Sequence, residues 1–340
     1  MTSCGEQGCV LESCHGGYGD CDGLPDNGCE ENLLKTQAHC GTCGRDCLGG
    51  ACNDGQCAPL LIAKAAFGRF VVDTSHAYYF DRMVFSILRV PLNGGVPQKL
   101  VAIGNPSMRE GIALDSTTVF FDGGAKRIQS IPKTGGPEKT LVGVDDCQPG
   151  CVALSGTHVF FTCYSLGEVR RVPVLGGASL TVSALGNKQP FGIATDGAWV
   201  WFTNYGNGTV RRVSVNGMGT EIDIAGSQLG PNEIVVDDGW AYWTNFAEGT
   251  MDGAVMKAPS GGGSAPAILA HSQSQPGGIA VDSTHVYWAN YVEKGAILRV
   301  PKAGGVVETV AASQQSPYYV AVDDVSVFWS TDEVLMRVAK

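Results

Sequence analysis

Beyond residue 57 the chain alternates short apolar stretches with polar turns, and the pattern recurs seven times. Each repeat begins with an apolar stretch whose closing residue is aspartate in six of seven cases: Asp73, Asp115, Ser155, Asp196, Asp237, Asp282 and Asp323. A tight turn follows, then an aromatic stretch (HAYYF, TVFFD, HVFFT, WVWFT, AYWTN, HVYWA, SVFWS). The third stretch reads like ILRVP or VRRVP, and after a Gly-Gly or similar turn a fourth reads like QKLVA or VETVA. These short β-branched and aromatic runs, punctuated by turn residues, predict strands rather than helices. Successive closing residues lie 40 to 45 positions apart, and a period of this size built from four strands marks a β-propeller with one blade per repeat. The expectation is an all-β, seven-bladed propeller.

In the seventh repeat the third stretch runs to Lys340. Leu60–Lys64 precedes the first repeat just as fourth stretches precede the others, so it is expected to pair with Val334–Val338 and close the ring, which removes a free sheet edge.

Composition narrows the function. The 340 residues are 44% hydrophobic and 16% charged, enough to bury a core and too apolar for a disordered polyampholyte. The net charge of -10 argues against a surface that tracks nucleic-acid phosphates, and no apolar run is long enough for a membrane helix. Ten of the 13 cysteines lie in residues 1–57, where Lys35 and Arg45 face nine acids. So short and polar a segment needs covalent staples, and disulfides need an oxidising compartment. Residues 1–57 are therefore expected to be a disulfide-stapled domain, residues 58–340 the propeller, and the location extracellular or at the cell surface. The opening MTSCGEQGCV has no basic and apolar leader, so an export signal is expected to have been removed or left out of this sequence.

Within this first segment two metal chemistries compete with a plain solvated acidic surface. Cys40, Cys43, Cys47, Cys52 and Cys57 include one CxxC, a zinc spacing, but ten cysteines pair evenly and no second CxxC recurs at finger spacing. Asp20, Asp22, Asp26, Asn27 and Glu30 offer hard oxygens around glycine turns, which suits calcium, the one cofactor suggested, although the spacing departs from the DxDxDG-x5-E loop. The runs GYGDCDGLPDNGCEEN, HCGTCGRDC and CNDGQC resemble the cysteine-rich modules that precede propellers in secreted myxobacterial proteins.

The repeated charges have a structural reading. Aspartate favours the turn after the first strand, and the bases Arg89, Arg171, Arg212, Lys257, Arg299 and Arg337, with Ser130 as the exception, can pair with acids of neighbouring blades. Function belongs where repeats differ. Blade three has Cys151 at the head of its first strand and Cys163 at the foot of its second, a spacing that suits a cross-strand disulfide and leaves Cys147 odd, either a free buried thiol or joined to another chain. Blade five carries a longer loop, Asn245–Met256, that contains Glu248 and Asp252.

QPFGIATDGAWVWFTNYGNGTVRRV and QPGGIAVDSTHVYWANY resemble repeats of the streptogramin (virginiamycin B) lyase propellers, and are similar also to NHL and YWTD propellers, which are mostly binding modules. The lyase resemblance implies catalytic and magnesium-binding His and Glu in signatures like PHG and FTE. The matching positions here read Pro190-Phe191-Gly192 and Pro276-Gly277-Gly278, with Thr203-Asn204, Thr244-Asn245 and Ala289-Asn290 at the strand feet, and hold neither His nor Glu. His271, in the expected loop LAHSQSQPGG between blades five and six, is the one histidine able to approach a central opening, and it and Glu248 are the remaining catalytic candidates. Phe191, Tyr205, Phe246 and Tyr291 are the candidate ligand-binding aromatics on one propeller face. The sequence thus favours a non-catalytic propeller for binding, adhesion or extracellular assembly, with an extracellular protein, a glycan, or a second copy held through the N-terminal domain as partner. A lyase or hydrolase on one face is the alternative.

Overall fold

The computed structural model describes residues 2–5, 8–11, 13–24, 27–65, 67–104, 110–184, 186–217 and 220–340. Seven four-stranded antiparallel sheets arise from the repeats. Blade four is representative: Pro190–Thr195, Trp199–Asn204, Thr209–Ser214 and Ile222–Ala225 follow one another from the axis to the rim. Blade seven takes its rim strand from the other end of the propeller, where Leu60–Lys64 pairs with Val334–Ala339 in the register Val334↔Lys64, Leu335↔Ala63 and Arg337↔Leu60. The ring closes as its repeats require.

The second strands are buried on both faces, because each blade is covered by a neighbour on either side. Trp201, Trp243, Trp288 and Trp329 are among the largest fully buried side chains and fill the spaces between blades. Trp243, Trp288 and Trp329 donate their indole N–H to Gln228, Gln273 and Gln314 at 3.2, 3.0 and 2.9 Å, which satisfies the polar atom of each buried ring.

The aspartates serve the turns. Oδ1 of Asp73, Asp115, Asp196, Asp282 and Asp323 accepts backbone N–H groups two and three residues on. The repeated bases act differently from expectation. Arg89, Arg171 and Lys257 donate to the carbonyls of Lys133, Val215 and Lys302 in the next blade at 2.6, 2.6 and 2.7 Å, and pair with no acid of a neighbouring blade among the described residues. Around the aspartate turns, the ion pairs between blades come instead from lysines that follow the third strands: Lys133 to Asp73 at 3.0 Å, Lys340 to Asp282 at 2.7 Å, and Lys302 to Asp237. At the closing blade Arg337 reaches Leu48 O of the N-terminal module.

That module is stapled by Cys14–Cys29, Cys21–Cys43, Cys40–Cys52 and Cys47–Cys57 among its described residues. Cys40, Cys47, Cys52 and Cys57 are buried in one cluster with Tyr287, Val327 and Val338 of blades six and seven, and Arg45 Nε donates to Lys340 O at 3.0 Å. Third strands end and fourth strands begin on this side of the ring, so the module lies on the side of the aspartate turns.

The cysteines of blade three depart from expectation. Cys163 bonds Cys147, and Cys151 keeps its thiol. The reason is a bulge: the register steps from Pro149↔Cys163 to Val152↔Phe161, so Gly150 and Cys151 stand out of the pairing and Cys163 faces Pro149 instead. Cys147, in the turn before the strand, is then the cysteine within reach. An intermolecular bond through Cys147 is excluded by the same pairing. Non-reducing peptide mapping is expected to recover Cys147 linked to Cys163, with Cys151, 1% exposed, alkylated only after unfolding.

The turns give stability a pH dependence. Burial would raise the carboxyls of Asp73 and Asp282, but backbone N–H donors and Lys133 or Lys340 hold both well below the usual carboxylate range. A folded-state pKa below the unfolded value of about 3.9 means stability that is present above that pH and lost as the pH falls below it. Conversely, burial and the charge of Asp73 push Tyr78 up to about 12, so its contribution is full below about pH 10 and fades as the pH rises through 12. Urea midpoints across pH 2–7 should fall steeply below pH 4 for the native chain and less steeply for Asp73→Asn with Asp282→Asn; equal slopes would refute this.

Candidate functional site

The side opposite the module carries the starts of the inner strands and the loops between second and third strands. Here the longer loop of blade five brings Phe246 and Glu248 over the axis-facing ends of blades three, four and seven. Tyr164, Phe191, Tyr205, Asn232, Phe246, Glu248 and Tyr318 line a cleft of about 240 Å³. Its rings touch in two groups: Phe191 and Tyr205 at 6.5 Å between centroids, and Phe246 and Tyr318 at 6.3 Å with Tyr291 against Phe246 at 6.4 Å and Tyr318 at 5.2 Å. Tyr205 donates its hydroxyl to Glu248 Oε2 at 3.1 Å, and burial together with that carboxylate raises the Tyr205 pKa. Asn232 Nδ2 donates to Tyr318 OH at 3.0 Å and joins the two halves of the floor.

Beneath the cleft lies a second layer. Four residues before each closing turn residue, the blades place Arg69, Gly111, Cys151, Gly192, Glu233, Gly278 and Tyr319 in turn. In blades one, three, four, five and six this position falls in an inner-strand bulge, which turns it out of the ladder. Arg69 crosses the axis. It forms a bidentate pair with Glu233, with Nη1 to Oε2 at 3.0 Å, its Nη2 lies 3.1 Å from Cys151 Sγ, and its guanidinium stacks 4.8 Å from the centre of the Tyr319 ring. Burial alone would lower the Arg69 pKa, but Cys151 and Glu233 raise it well above its ordinary value, so the guanidinium stays charged. The glycines between are required by space: a Cβ would stand 2.3 Å from Gly150 O at Gly111, 2.4 Å from Asn232 O at Gly192 and 2.6 Å from Tyr318 O at Gly278. One step toward the cleft, Glu110 adopts a left-handed φ of 40° and accepts from Arg69 N at 3.1 Å and Arg82 Nε at 2.6 Å.

The structure thus joins Phe191, Tyr205 and Phe246 with Glu248 in one cleft, and sets Tyr291 against two of its rings. It separates His271 from them: that residue is exposed on Ala267–Gln273, the rim strand of blade five, with Nδ1 3.1 Å from Ser272 Oγ. The expected approach of His271 to the central opening fails because the loop it was assigned to continues the rim strand. The feet that replace the lyase signatures are structural: Thr203 Oγ1 donates to Asn232 O at 2.5 Å, Thr244 Oγ1 to Gly277 O at 2.8 Å, and the amides of Asn204, Asn245 and Asn290 bond to Asn187, Gln228 and Gln273. The zinc spacing is consumed by disulfides. Of the calcium candidates, oxygens of Asp20, Asp22 and Glu30 lie within 4.8 Å of one another. They accept the N–H groups of Gly23, Leu24 and Cys21, while Asn27 donates its amide to Asp22 at 2.8 Å. Asp26 lies outside the described residues.

Sequence reasoning missed Arg69, Glu233, Tyr318 and Tyr319. The signal was the register itself, in which charged, thiol and aromatic residues alternate with glycine.

No protein-family model matches the chain, and no curated protein matches it. Among solved structures it is similar to virginiamycin B lyase from Staphylococcus aureus, at 16% identity and a TM-score of 0.69 over 83% of this chain and 98% of that one. YCF48 bound to D1 peptide matches at 11% identity and 0.63 over 83% and 95%, and nidogen in complex with laminin at 19% and 0.51 over 63% and 84%. These likenesses establish the seven-bladed propeller fold. No helix among the described residues is long and apolar enough to cross a membrane.

Arg69→Met leaves Glu233 charged and buried, and should lower unfolding free energy by about 3–5 kcal/mol, with part of the loss restored in Arg69→Met with Glu233→Leu. Equilibrium denaturation checks this; a loss below about 1 kcal/mol, as for an exposed pair, would contradict it.

Proposed function

We propose that this chain is an extracellular recognition propeller that holds a protein or glycan partner, without turning it over, on the face opposite its disulfide module. The observation that carries this reading is the aromatic cleft, which draws rings from blades three, four, five and seven to one place. The disulfides accord with an extracellular setting, and the module occupies the turn side, which leaves the cleft side open. Aromatic residues supply large contact area at small entropic cost, which suits them to recognition. Propellers of similar fold have been captured with laminin and with a peptide, which accords with this use. The alternative, a lyase or hydrolase on the same face, keeps Glu248 and the Tyr205 hydroxyl but loses His271 from the cleft.

Extracellular-protein and glycan arrays are the test. Phe246→Ala and Tyr205→Ala should each weaken capture about tenfold or more, the loss expected of a central aromatic anchor, with unchanged melting temperature. Capture unaffected by either variant but abolished by changes in the module would move the binding surface to residues 1–57.

A further inference from the structure

The cleft has one electrostatic character throughout. Of its lining residues only Glu248 carries a formal charge, and the rest are aromatic except Asn232, whose amide is already engaged by Tyr318. Ring faces present negative potential, so walls and carboxylate favour the same sign of ligand. The cation beneath is no competitor, since Arg69 is neutralised by its bidentate pair with Glu233. Glu248 offers the cleft its second oxygen: Tyr205 engages Oε2, and no described residue donates to Oε1.

Size and surroundings identify the source. A space of about 240 Å³ lies below the range of pockets that enclose drug-sized molecules and is of the order of a single side chain. Around it Leu166, Leu229 and Met251 are 45%, 59% and 68% exposed. Leu166 follows Tyr164 by two residues, Met251 shares the Glu248 loop, and Leu229 O accepts from Ala247 N at 3.2 Å, so all three belong to the cleft's own rim. An apolar rim around a charged centre fits a protein surface that carries one projecting group.

Resting on the recognition function above, we infer that the cleft takes an arginine side chain projecting from a partner polypeptide, with the guanidinium against the rings of Phe246 and Tyr205 and its N–H groups on Glu248. Arginine fits better than lysine because its planar fork both stacks on rings and meets a carboxylate. A neutral sugar would find few unengaged donors here, and an anionic one would meet Glu248.

The test uses the full, disulfide-intact chain and NMR titration with three probes: a blocked pentapeptide of glycine with one central arginine, the same peptide with citrulline, and tetramethylammonium. The arginine peptide should bind about tenfold or more tighter than the citrulline peptide, as a charge-assisted hydrogen bond requires, and Glu248→Gln should abolish that difference while Phe246→Ala weakens binding in parallel. Equal affinity for arginine and citrulline would overturn the charge requirement and leave the recognition function standing. Tetramethylammonium binding as tightly as the arginine peptide would assign the cleft to a free small cation. If no probe binds while arrays still detect a partner sensitive to Phe246→Ala, the arginine inference falls alone; if the arrays are silent as well, both fall.

Discussion

A propeller stands or falls on closure. Each blade covers one face of the next, so every blade except the last is supported by the order of the chain, and the last must be joined to the first. Here Leu60–Lys64 supplies that join through its ladder with Val334–Ala339. The burial of the second-strand aromatics, the depth of Arg69 and the positions of cleft rings contributed by blades four and seven all presuppose a ring that does not open. Closure also orients the N-terminal module, since the strand that seals blade seven emerges from it on the turn side.

The two sides of the ring therefore differ in use. On the turn side, aspartates bind their own backbone, lysines tie blades together and Arg337 reaches into the module where Arg89, Arg171 and Lys257 reach a next blade. On the other side the bulged inner strands turn their outermost residues toward the axis. Arg69, held by partners from three other blades, lies beneath the cleft, whose lining is aromatic apart from Asn232 and Glu248. Catalysis and recognition would use the same face; His271 lies away from it on the rim strand of blade five, and the strand-foot asparagines are engaged in hydrogen bonds.

Much of this was legible before the structure. The period of about 41 residues, the closing strand and the turn role of the aspartates follow from strand alternation and turn chemistry, and the aromatics Phe191, Tyr205 and Phe246 were recognised at strand ends. Three things were not legible, for one physical reason: bulges shift register by a residue or two where sequence spacing assumes none. The Cys147–Cys163 bond, the axial position of Cys151 and the convergence of Arg69 with Glu233 all depend on that shift. His271 was misread for a related reason, the continuation of a strand through a polar run whose composition suggests a loop. The acidic loop of the module shows the opposite limit, since oxygen-rich spacing alone does not reveal that Asp20 and Asp22 accept the N–H groups of their own turns while Glu30 holds Cys21 N.

Native-state hydrogen exchange on the closing strand tests the central claim most directly. If closure holds the whole ring, the amides of Ala63 and Leu335 that join the two ends should exchange only through global opening, with the same protection and denaturant dependence as those of Val200 in blade four. Exchange at the closing pair several orders of magnitude faster than at blade four, with little denaturant dependence, would mean that the ring opens at its seam and that the cleft floor is not fixed.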